Sequence, residues 1–442
     1  MWSRLRGRRR RLLLGLAAAI LLAGGVGAAL FVTLGRPEGD VRNPDVEFEE
    51  PPPPATTTTT PEEPEPEQPR QRRRARSRPA FSWPFYGFDA ARTRYLPSDL
   101  RPPFRRVWTR GGSKLLEFQP VLARGRLVFV KNNGEAQAMS ARTGRVLWRR
   151  RVGLLAASSP AYSDGRVYIT TLSRRILAMD IDTGRVRWAR DLASRTESSP
   201  VVVGDRLFFG AEDGTVYCMR KEDGRVVWRH RARGAVKGGV AYANGRIYLG
   251  DYAGEVTALR AADSARLWST GTDGRRFNRS GRFYATPTVA FGRVYIGNTD
   301  GAMYSLSART GQLAWRRATG FYVYAGAAVA RTPDTPPTVY VGSYDGNFYA
   351  FDARTGATRW THRAGGKISG AATVIGQVVY FSNLARKSTT GLDVRTGRPV
   401  FAIGRGAYNP VIADRRRIYL TGYSSQYAFE PVRRGRSSRR RR

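Results

Sequence analysis

Short apolar runs recur along most of this 442-residue chain, and turn-forming residues separate them. One unit shows the order clearly, with strand-like runs at residues 199–203, 206–210, 215–219 and 225–228. The runs are rich in Val, Phe and Tyr, which favour strands, and the turns contain Gly, which reaches positive φ at no steric cost. No helical periodicity competes in this region. The pattern therefore predicts repeated units of four antiparallel strands.

Tryptophan marks the repeat. Five tryptophans are spaced 40 residues apart, two more follow at steps of 47 and 45, and Phe401 takes the same place in the last step. A period near 40 with strand content is typical of a β-propeller, in which each repeat forms one four-stranded blade. We expect these side chains to pack between neighbouring blades. The structural tryptophans are Trp108, Trp148, Trp188, Trp228, Trp268, Trp315 and Trp360.

The number of repeats predicts how the ring closes. Eight innermost and eight outermost strands are expected, but the unit at residues 409–431 has no outermost strand after it. Residues 104–110 form an outermost strand with no unit before it. Joining the two in one blade removes the open sheet edges of an incomplete ring. The predicted fold is all-β: an eight-bladed β-propeller of four-stranded antiparallel blades over residues 81–432.

The repeats carry a more specific signature. The pattern Ala-x-Asp-x-x-Thr-Gly-x-x-x-Trp, complete at residues 178–188 and 350–360, resembles the pyrroloquinoline quinone (PQQ)-type repeat. The preceding segment at residues 83–95 is similar to the segment before the propeller in quinoprotein dehydrogenases and their non-enzymatic relatives. The resemblance implies either a PQQ- and calcium-dependent dehydrogenase with an Asp base or a scaffold. The scaffold lipoprotein of the outer-membrane β-barrel assembly machinery is an example of the second class.

The cysteine and histidine content bears on that choice. Many quinoprotein dehydrogenases carry an adjacent-cysteine disulfide over the cofactor, whereas this chain has one cysteine, Cys218. Cys218 lies ten residues before Trp228, where other blades have Ala, so we expect a small buried side chain. The only histidines are His230 and His362. We therefore expect no catalytic residue, metal or cofactor; the alternative is a PQQ-dependent dehydrogenase that binds PQQ with calcium.

The N-terminal region predicts membrane attachment. Residues 1–11 are a basic cytoplasmic tail, and residues 12–34 are an uncharged run long enough for a transmembrane signal-anchor helix. This places the propeller on the extracytoplasmic side of the cell membrane. A cleavable signal peptide is the alternative. Residues 35–80, rich in Pro, Thr and Glu and then in Arg, are predicted to be a disordered linker, and residues 433–442 a basic disordered tail.

The charge of the chain bears on its partners. The formal net charge is +40, and subtracting the flanking segments leaves about +29 on residues 79–432. A basic surface outside the membrane suggests an envelope protein, anionic headgroups or an anionic envelope polymer as partner. Nucleic acid is unlikely because of the predicted topology. A solvated basic surface without a single partner is the alternative. The propeller is expected to be monomeric.

Loops from each outermost strand to the next innermost strand converge at one end of the central channel. One of them is lengthened at residues 271–284 and carries four arginines and three aromatic residues. A concave mouth with convergent polar groups is the default binding site, although the residues could instead only terminate strands and solvate the loop. Glu117, Glu197 and Asn409 also offer oxygen ligands for calcium. The candidate ligand- or partner-binding residues are Glu117, Gln119, Glu197, Lys237, Arg275, Arg276, Arg279, Arg282, Tyr284, Tyr324, Lys367, Tyr408 and Asn409.

Overall fold

The computed structural model describes residues 40–50, 81–271 and 281–432, and it is all-β over these ranges. The strands are β1 (Val41–Arg42), β2 (Tyr95–Leu96), β3 (Phe104–Arg110), β4 (Val121–Ala123), β5 (Arg126–Val130), β6 (Glu135–Ser140), β7 (Val146–Arg151), β8 (Ala161–Ser163), β9 (Arg166–Thr171), β10 (Arg175–Asp180), β11 (Val186–Asp191), β12 (Val201–Val203), β13 (Arg206–Gly210), β14 (Thr215–Arg220), β15 (Val226–Arg231), β16 (Ala241–Ala243), β17 (Arg246–Gly250), β18 (Glu255–Arg260), β19 (Arg266–Gly271), β20 (Thr288–Ala290), β21 (Arg293–Gly297), β22 (Ala302–Ser307), β23 (Leu313–Ala318), β24 (Ala328–Thr332), β25 (Thr335–Gly342), β26 (Asn347–Asp352), β27 (Thr358–Arg363), β28 (Thr373–Ile375), β29 (Val378–Asn383), β30 (Ser388–Asp393), β31 (Pro399–Ile403), β32 (Val411–Ala413), β33 (Ile418–Thr421) and β34 (Gln426–Pro431).

These strands form eight sheets, which confirms the predicted eight-bladed propeller. Blades 1 to 7 each take four consecutive strands, starting with β4–β7 and ending with β28–β31, paired as antiparallel hairpins. Blade 8 has the order β3-β34-β33-β32, so the predicted N-terminal strand closes the ring. In this pairing Phe104 lies opposite Pro431 and Arg110 opposite Gln426.

The tryptophans pack between blades, as predicted. Within a blade, Trp148 lies opposite Ala138 and Trp228 lies opposite Cys218, so the thiol fills the small buried position expected for it. Across blades, the indole N–H of Trp148 donates to the Ile181 carbonyl at 2.9 Å. A Cβ on Gly184 would lie 2.6 Å from the same indole, because this turn packs directly on the ring. Glycine in this turn therefore relieves a steric conflict and also supplies the positive φ of 69°.

Residues 83–96 form a belt inside the central channel, which the sequence pattern did not predict. The belt passes from blade to blade, and its carbonyls accept hydrogen bonds from the innermost strands. The pairs are Leu122 N–H to Trp83, Tyr162 to Pro84, Tyr242 to Ala90, Val289 to Ala91, Val329 to Thr93 and Val374 to Arg94. Strand β2 then pairs with β28 of blade 7 in parallel. The belt thus connects six blades through main-chain hydrogen bonds.

Arg92 is the main side-chain link between the belt and the ring. Its guanidinium is fully buried and donates to the carbonyls of Tyr86, Val240, Ser199 and Pro200 at 2.7 to 3.3 Å. Its hydrogen bonds to Ser199 and Pro200 also connect the belt to blade 3. A buried cation is tolerated here because several oxygen acceptors surround it.

Residues 41–50 differ from the predicted disordered linker, because they pack against blade 5. Strand β1 adds to the outer edge of β23, with Val41 opposite Arg316 and Arg42 opposite Trp315. Val46 is buried in the apolar cluster of that blade. An exposed strand edge offers unpaired main-chain groups, which explains why an extended segment can bind there. The rest of the predicted linker, the basic tails at residues 1–11 and 433–442 and the run at residues 12–34 lie outside the described residues.

The described parts of the chain contain no helix long and apolar enough to cross a membrane.

Candidate functional site

The propeller has two unlike faces. In an antiparallel blade, the loop leading to the first strand and the turn between the second and third strands lie at the same end. Main-chain hydrogen bonds confirm the pairing: Glu212 donates to Arg195, Tyr252 to Ala235, Tyr344 to Tyr322 and Leu384 to Lys367. We call this end the mouth face. The opposite end, which carries the turns between strands one and two and between strands three and four, is the base face.

A cavity of about 280 Å³ opens at the centre of the mouth face. Seven of the predicted site residues line it: Glu117, Glu197, Lys237, Tyr284, Tyr324, Tyr408 and Asn409. They come from the loops that lead into six different blades, so the convergence expected from the repeat is what brings them together. The belt supplies part of the lining through Tyr86.

An ion-pair network forms one wall of this cavity. The Lys237 ammonium lies 2.7 Å from a Glu197 oxygen and 3.4 Å from a Glu212 oxygen. The other Glu197 oxygen accepts from the Tyr284 hydroxyl at 3.0 Å. Burial alone would lower the pKa of Lys237, but the two carboxylates outweigh it and the pKa is raised. Lys237 is therefore held as a cation between two acids.

Glu117 lines the same cavity but has different hydrogen-bond partners. Its carboxylate accepts from the Asn132 amide at 2.9 Å, and its main-chain carbonyl accepts from the Asn409 amide at 2.5 Å. Burial raises the pKa of Glu117, and the charge of Glu197 adds to that effect, while Asn132 opposes it. The mouth therefore has one paired carboxylate and one carboxylate that is costly to ionise.

The remaining predicted residues take other places. Gln119 is buried at the start of blade 1, where its carbonyl accepts from the Ser159 hydroxyl at 2.9 Å, so it links blades instead of lining the cavity. The Lys367 ammonium lies over the Tyr344 ring at 5.6 Å, and the Arg282 guanidinium over the Tyr252 ring at 5.5 Å. Three predicted residues lie outside the described ones: Arg275, Arg276 and Arg279.

An arc of aromatic side chains continues from the cavity across the mouth face. The ring centroids of Tyr252 and Tyr284 are 6.4 Å apart, those of Tyr284 and Tyr324 5.6 Å, and those of Tyr324 and Tyr344 4.8 Å. The sequence interpretation missed Tyr252, Tyr344 and Tyr86. The first two occupy the turn between the second and third strands of their blades, a position that the repeat pattern identifies and that a search of those turns would have found.

Large apolar side chains are exposed around the cavity. Leu154 is 74% and Leu155 54% exposed in one connecting loop, and Phe321 is 46% exposed in another. Tyr322 stacks on Phe321 with ring centroids 4.2 Å apart, and Tyr423 is exposed in the turn between β33 and β34. Exposed apolar side chains grouped on one face of a protein usually mark an interaction surface.

At the mouth, calcium with PQQ would compete with an ion pair. Of the three oxygen ligands considered, Glu197 already has both carboxylate oxygens bonded, one to a lysine ammonium and one to a tyrosine hydroxyl. A calcium ion there would displace a cation that the protein itself supplies. Among the described residues, no group of three or more His, Cys, Asp or Glu side chains has the arrangement of a metal site.

The environment of Glu117 predicts a pH-dependent stability. Because the folded-state pKa is raised, the ionised carboxylate costs stability as the pH rises above the ordinary value of about 4.3. We expect Glu117→Gln to raise the melting temperature at pH 7 and to leave it unchanged at pH 4. Glu222→Gln is the control, because Arg166 lowers the pKa of Glu222 and the sign is opposite. Melting curves between pH 4 and pH 8 measure both; an equal shift of Glu117→Gln at every pH would contradict the prediction.

Comparison with known proteins gives a family. A family model described as outer membrane protein assembly factor BamB matches residues 105–235, 212–337 and 331–410. The crystal structure of BamB from Moraxella catarrhalis is 18% identical, with a TM-score of 0.62, and the match covers 74% of this chain and 100% of that one. No curated protein sequence matches this chain significantly.

Enzymes share the same fold. A europium-containing methanol dehydrogenase is 14% identical with a TM-score of 0.67, covering 80% of this chain and 98% of its own. A quinohemoprotein alcohol dehydrogenase from Pseudomonas putida HK5 is 12% identical with the same TM-score, covering 80% and 82%. At these identities the structural likeness shows the fold alone. The family model, which spans most of the propeller, is more specific, and the chain belongs to the PQQ-like repeat family described as outer membrane protein assembly factor BamB.

Proposed function

We propose that this chain is a non-catalytic binding or scaffold module of the cell envelope, anchored in the membrane by residues 12–34 and presenting its mouth face to a partner. The observation that carries the proposal is the group of exposed apolar side chains around the mouth, Leu154, Leu155, Phe321, Tyr322 and Tyr423. A folded monomer gains nothing from exposing them together, whereas a partner protein would remove them from water.

The charges at the mouth support binding over catalysis. Lys237 and Arg195 pair with Glu197 and Glu212, so these four charges neutralise one another, and the Tyr284 hydroxyl donates to Glu197. Burial raises the pKa of Tyr284 far above its ordinary value, so it stays a neutral donor. A partner that docks on a neutralised, aromatic-lined mouth loses little solvation energy. The family model that matches this chain is described as an assembly factor, which supports a binding or scaffold function.

Partner capture tests the binding surface. The variant Leu154→Ser, Leu155→Ser, Phe321→Ser, Tyr322→Ser should recover at least tenfold less partner from cross-linked envelope extracts, with little change in melting temperature. The matched control changes four exposed apolar residues of the outermost strands to serine: Leu147, Val186, Leu267 and Val400. Equal recovery by both variants would show that the mouth face is not the binding surface.

A second arm of the same experiment separates an anionic polymer from a protein. Replacing Arg275, Arg276, Arg279 and Arg282 with serine should weaken capture of an anionic polymer, and binding of such a polymer should fall steeply with salt. Recovery that depends on the apolar set and not on salt favours a protein partner.

The predicted topology has its own test. If residues 12–34 form a signal anchor with the N-terminus in the cytoplasm, protease added to intact spheroplasts should degrade the propeller. The membrane fraction should retain the N-terminal peptide. A propeller that survives while an extracytoplasmic control protein is digested would contradict the assignment, and a propeller recovered in the soluble fraction without residues 1–29 would indicate a cleaved signal peptide.

A PQQ- and calcium-dependent oxidoreductase is the second candidate, favoured by the fold shared with two dehydrogenases. It would require the Glu197–Lys237 pair to open for the ion. An absorbance titration of the protein with PQQ and calcium, followed by a dye-linked assay with alcohols and sugars, distinguishes it from the scaffold. Turnover that depends on both additions would replace the proposal.

A further inference from the structure

Residues 41–50, here called the clip, lie in a cleft between the base-face turns of blades 5 and 6. The cleft is lined by Phe291, Arg293, Ser307, Arg309 and Arg354. The clip enters as β1 on the edge of β23 and leaves along the base face. Its sequence is Val-Arg-Asn-Pro-Asp-Val-Glu-Phe-Glu-Glu.

Two apolar side chains seat the clip. Val46 is 3% exposed and joins the apolar cluster that contains Trp315. Phe48 stacks on Phe291 with ring centroids 5.6 Å apart, and the Arg354 guanidinium lies 5.0 Å from the Phe48 ring centroid. An aromatic ring held between another ring and a guanidinium is a side-chain-specific contact.

Polar contacts bind the clip residues next to these two apolar side chains. Arg293, buried under the clip, donates to the main-chain carbonyls of Val46 and Glu47. The Glu47 carboxylate accepts from the Ser307 hydroxyl and lies 3.6 Å from Arg309, and Glu50 pairs with Arg354. The clip therefore combines strand addition with pockets for alternate side chains, which is how sheet edges select peptides.

Comparison with other blades shows what is different about blade 5. Arginine also begins the second strand of blades 1, 2 and 4, and Arg417 directly precedes that of blade 8; in these four blades it bonds to the next blade's turn. Arg166 pairs with Glu222 at 2.6 Å and Arg246 donates to the Arg309 carbonyl at 3.0 Å. In blade 5 the equivalent Arg293 bonds to the clip instead. The clip thus fills a space that adjacent turns close elsewhere.

We propose that this cleft is a binding site for an extended acidic segment with the pattern Val-Glu-Phe, which residues 41–50 occupy as a releasable clip.

The clip is suited to release. Only two of its residues are strand-paired, and four of its ten residues are acidic, Asp45, Glu47, Glu49 and Glu50. Their attraction to the cleft arginines is weakened by salt. The ring of eight blades closes without the clip, so the propeller stays folded when the clip leaves.

Peptide binding tests the cleft. The full-length variant Val46→Ser, Phe48→Ser should release the clip. A labelled peptide of residues 41–50 should then bind to the empty cleft of this variant at least tenfold more tightly than it binds to the wild-type protein, whose cleft is occupied. The matched control Pro44→Ser, Asp45→Ser changes exposed clip residues and should behave as wild type. A scrambled peptide should not bind. Failure of the released variant to bind the peptide, or equal binding of the scrambled one, would overturn the site.

Hydrogen exchange on the wild-type chain covers the case of a misfolded variant. The amides of Val46 and Glu49, which are bonded to Asn43 and Phe291, should exchange at least tenfold faster at high salt while the amides of β21 and β22 do not change. Clip amides that exchange only together with those two strands would show that the clip never opens separately.

Discussion

Deleting residues 81–110 should prevent the propeller from folding. The deletion removes β3, the outermost strand of blade 8, together with the channel belt and two buried tryptophans, Trp83 and Trp108. Loss of a large buried aromatic side chain costs about 3–5 kcal/mol, and a typical domain has about 5–15 kcal/mol of net stability. Two such losses and an open sheet edge exceed what the remaining contacts can offset.

Solubility and circular dichroism of the purified protein measure the effect. A chain lacking residues 1–39 is the control, because it removes a longer segment and keeps all eight blades and the belt. The point variant Trp108→Ala keeps the strand and should still fold, with a melting temperature lower by several degrees. A soluble deletion variant with a cooperative transition near that of wild type would show that blade 8 does not need β3.

Replacing Arg92 with methionine should destabilise the fold by about 3–5 kcal/mol. Methionine fits the length of the side chain and donates no hydrogen bonds. Four buried carbonyls, those of Tyr86, Val240, Ser199 and Pro200, would lose their donor. The cost is large because water does not reach these oxygens and because the belt would lose its side-chain hydrogen bonds to blades 3 and 4.

Urea unfolding gives the free energy directly. The control is Arg106→Met, an exposed arginine of β3, which should change the free energy of unfolding by less than about 0.5 kcal/mol. Arg92→Lys should recover part of the loss, since an ammonium donates to fewer of the four carbonyls than a guanidinium does. An Arg92→Met variant as stable as the control would mean that the belt contributes little to the ring.

The repeat alone predicts the architecture. The strand pattern, the tryptophan and the glycine turns are local features of each blade of about 40 residues, and their recurrence gives the period. The same locality explains the position of Cys218, because the residue opposite each tryptophan is fixed by the hairpin register. Even the closing strand follows from counting, since a missing strand at one end matches an extra strand at the other.

The mouth was predicted in part. Loops at equivalent positions of successive blades must converge, so the candidate set contains seven of the residues that line the cavity. The pairing among them was not predictable: Glu197 and Lys237 are 40 residues apart, and Glu197 and Tyr284 are 87. Which carboxylate is paired and which is costly to ionise depends on distances that only the closed ring sets.

The placement of the belt and of the clip depends on tertiary structure alone. Residues 83–96 and 41–50 lack the alternating apolar pattern of a strand, and their hydrogen-bond partners on the blades lie from 39 to 304 residues away in the sequence. Their main chain binds to edges and carbonyls that exist only after the blades have formed. The sequence by itself determined the number of blades, their register and the closure of the ring, because those follow from a repeated local pattern. The belt, the clip and the charge pairing at the mouth required the assembled ring, because each depends on groups that the chain brings together only in three dimensions.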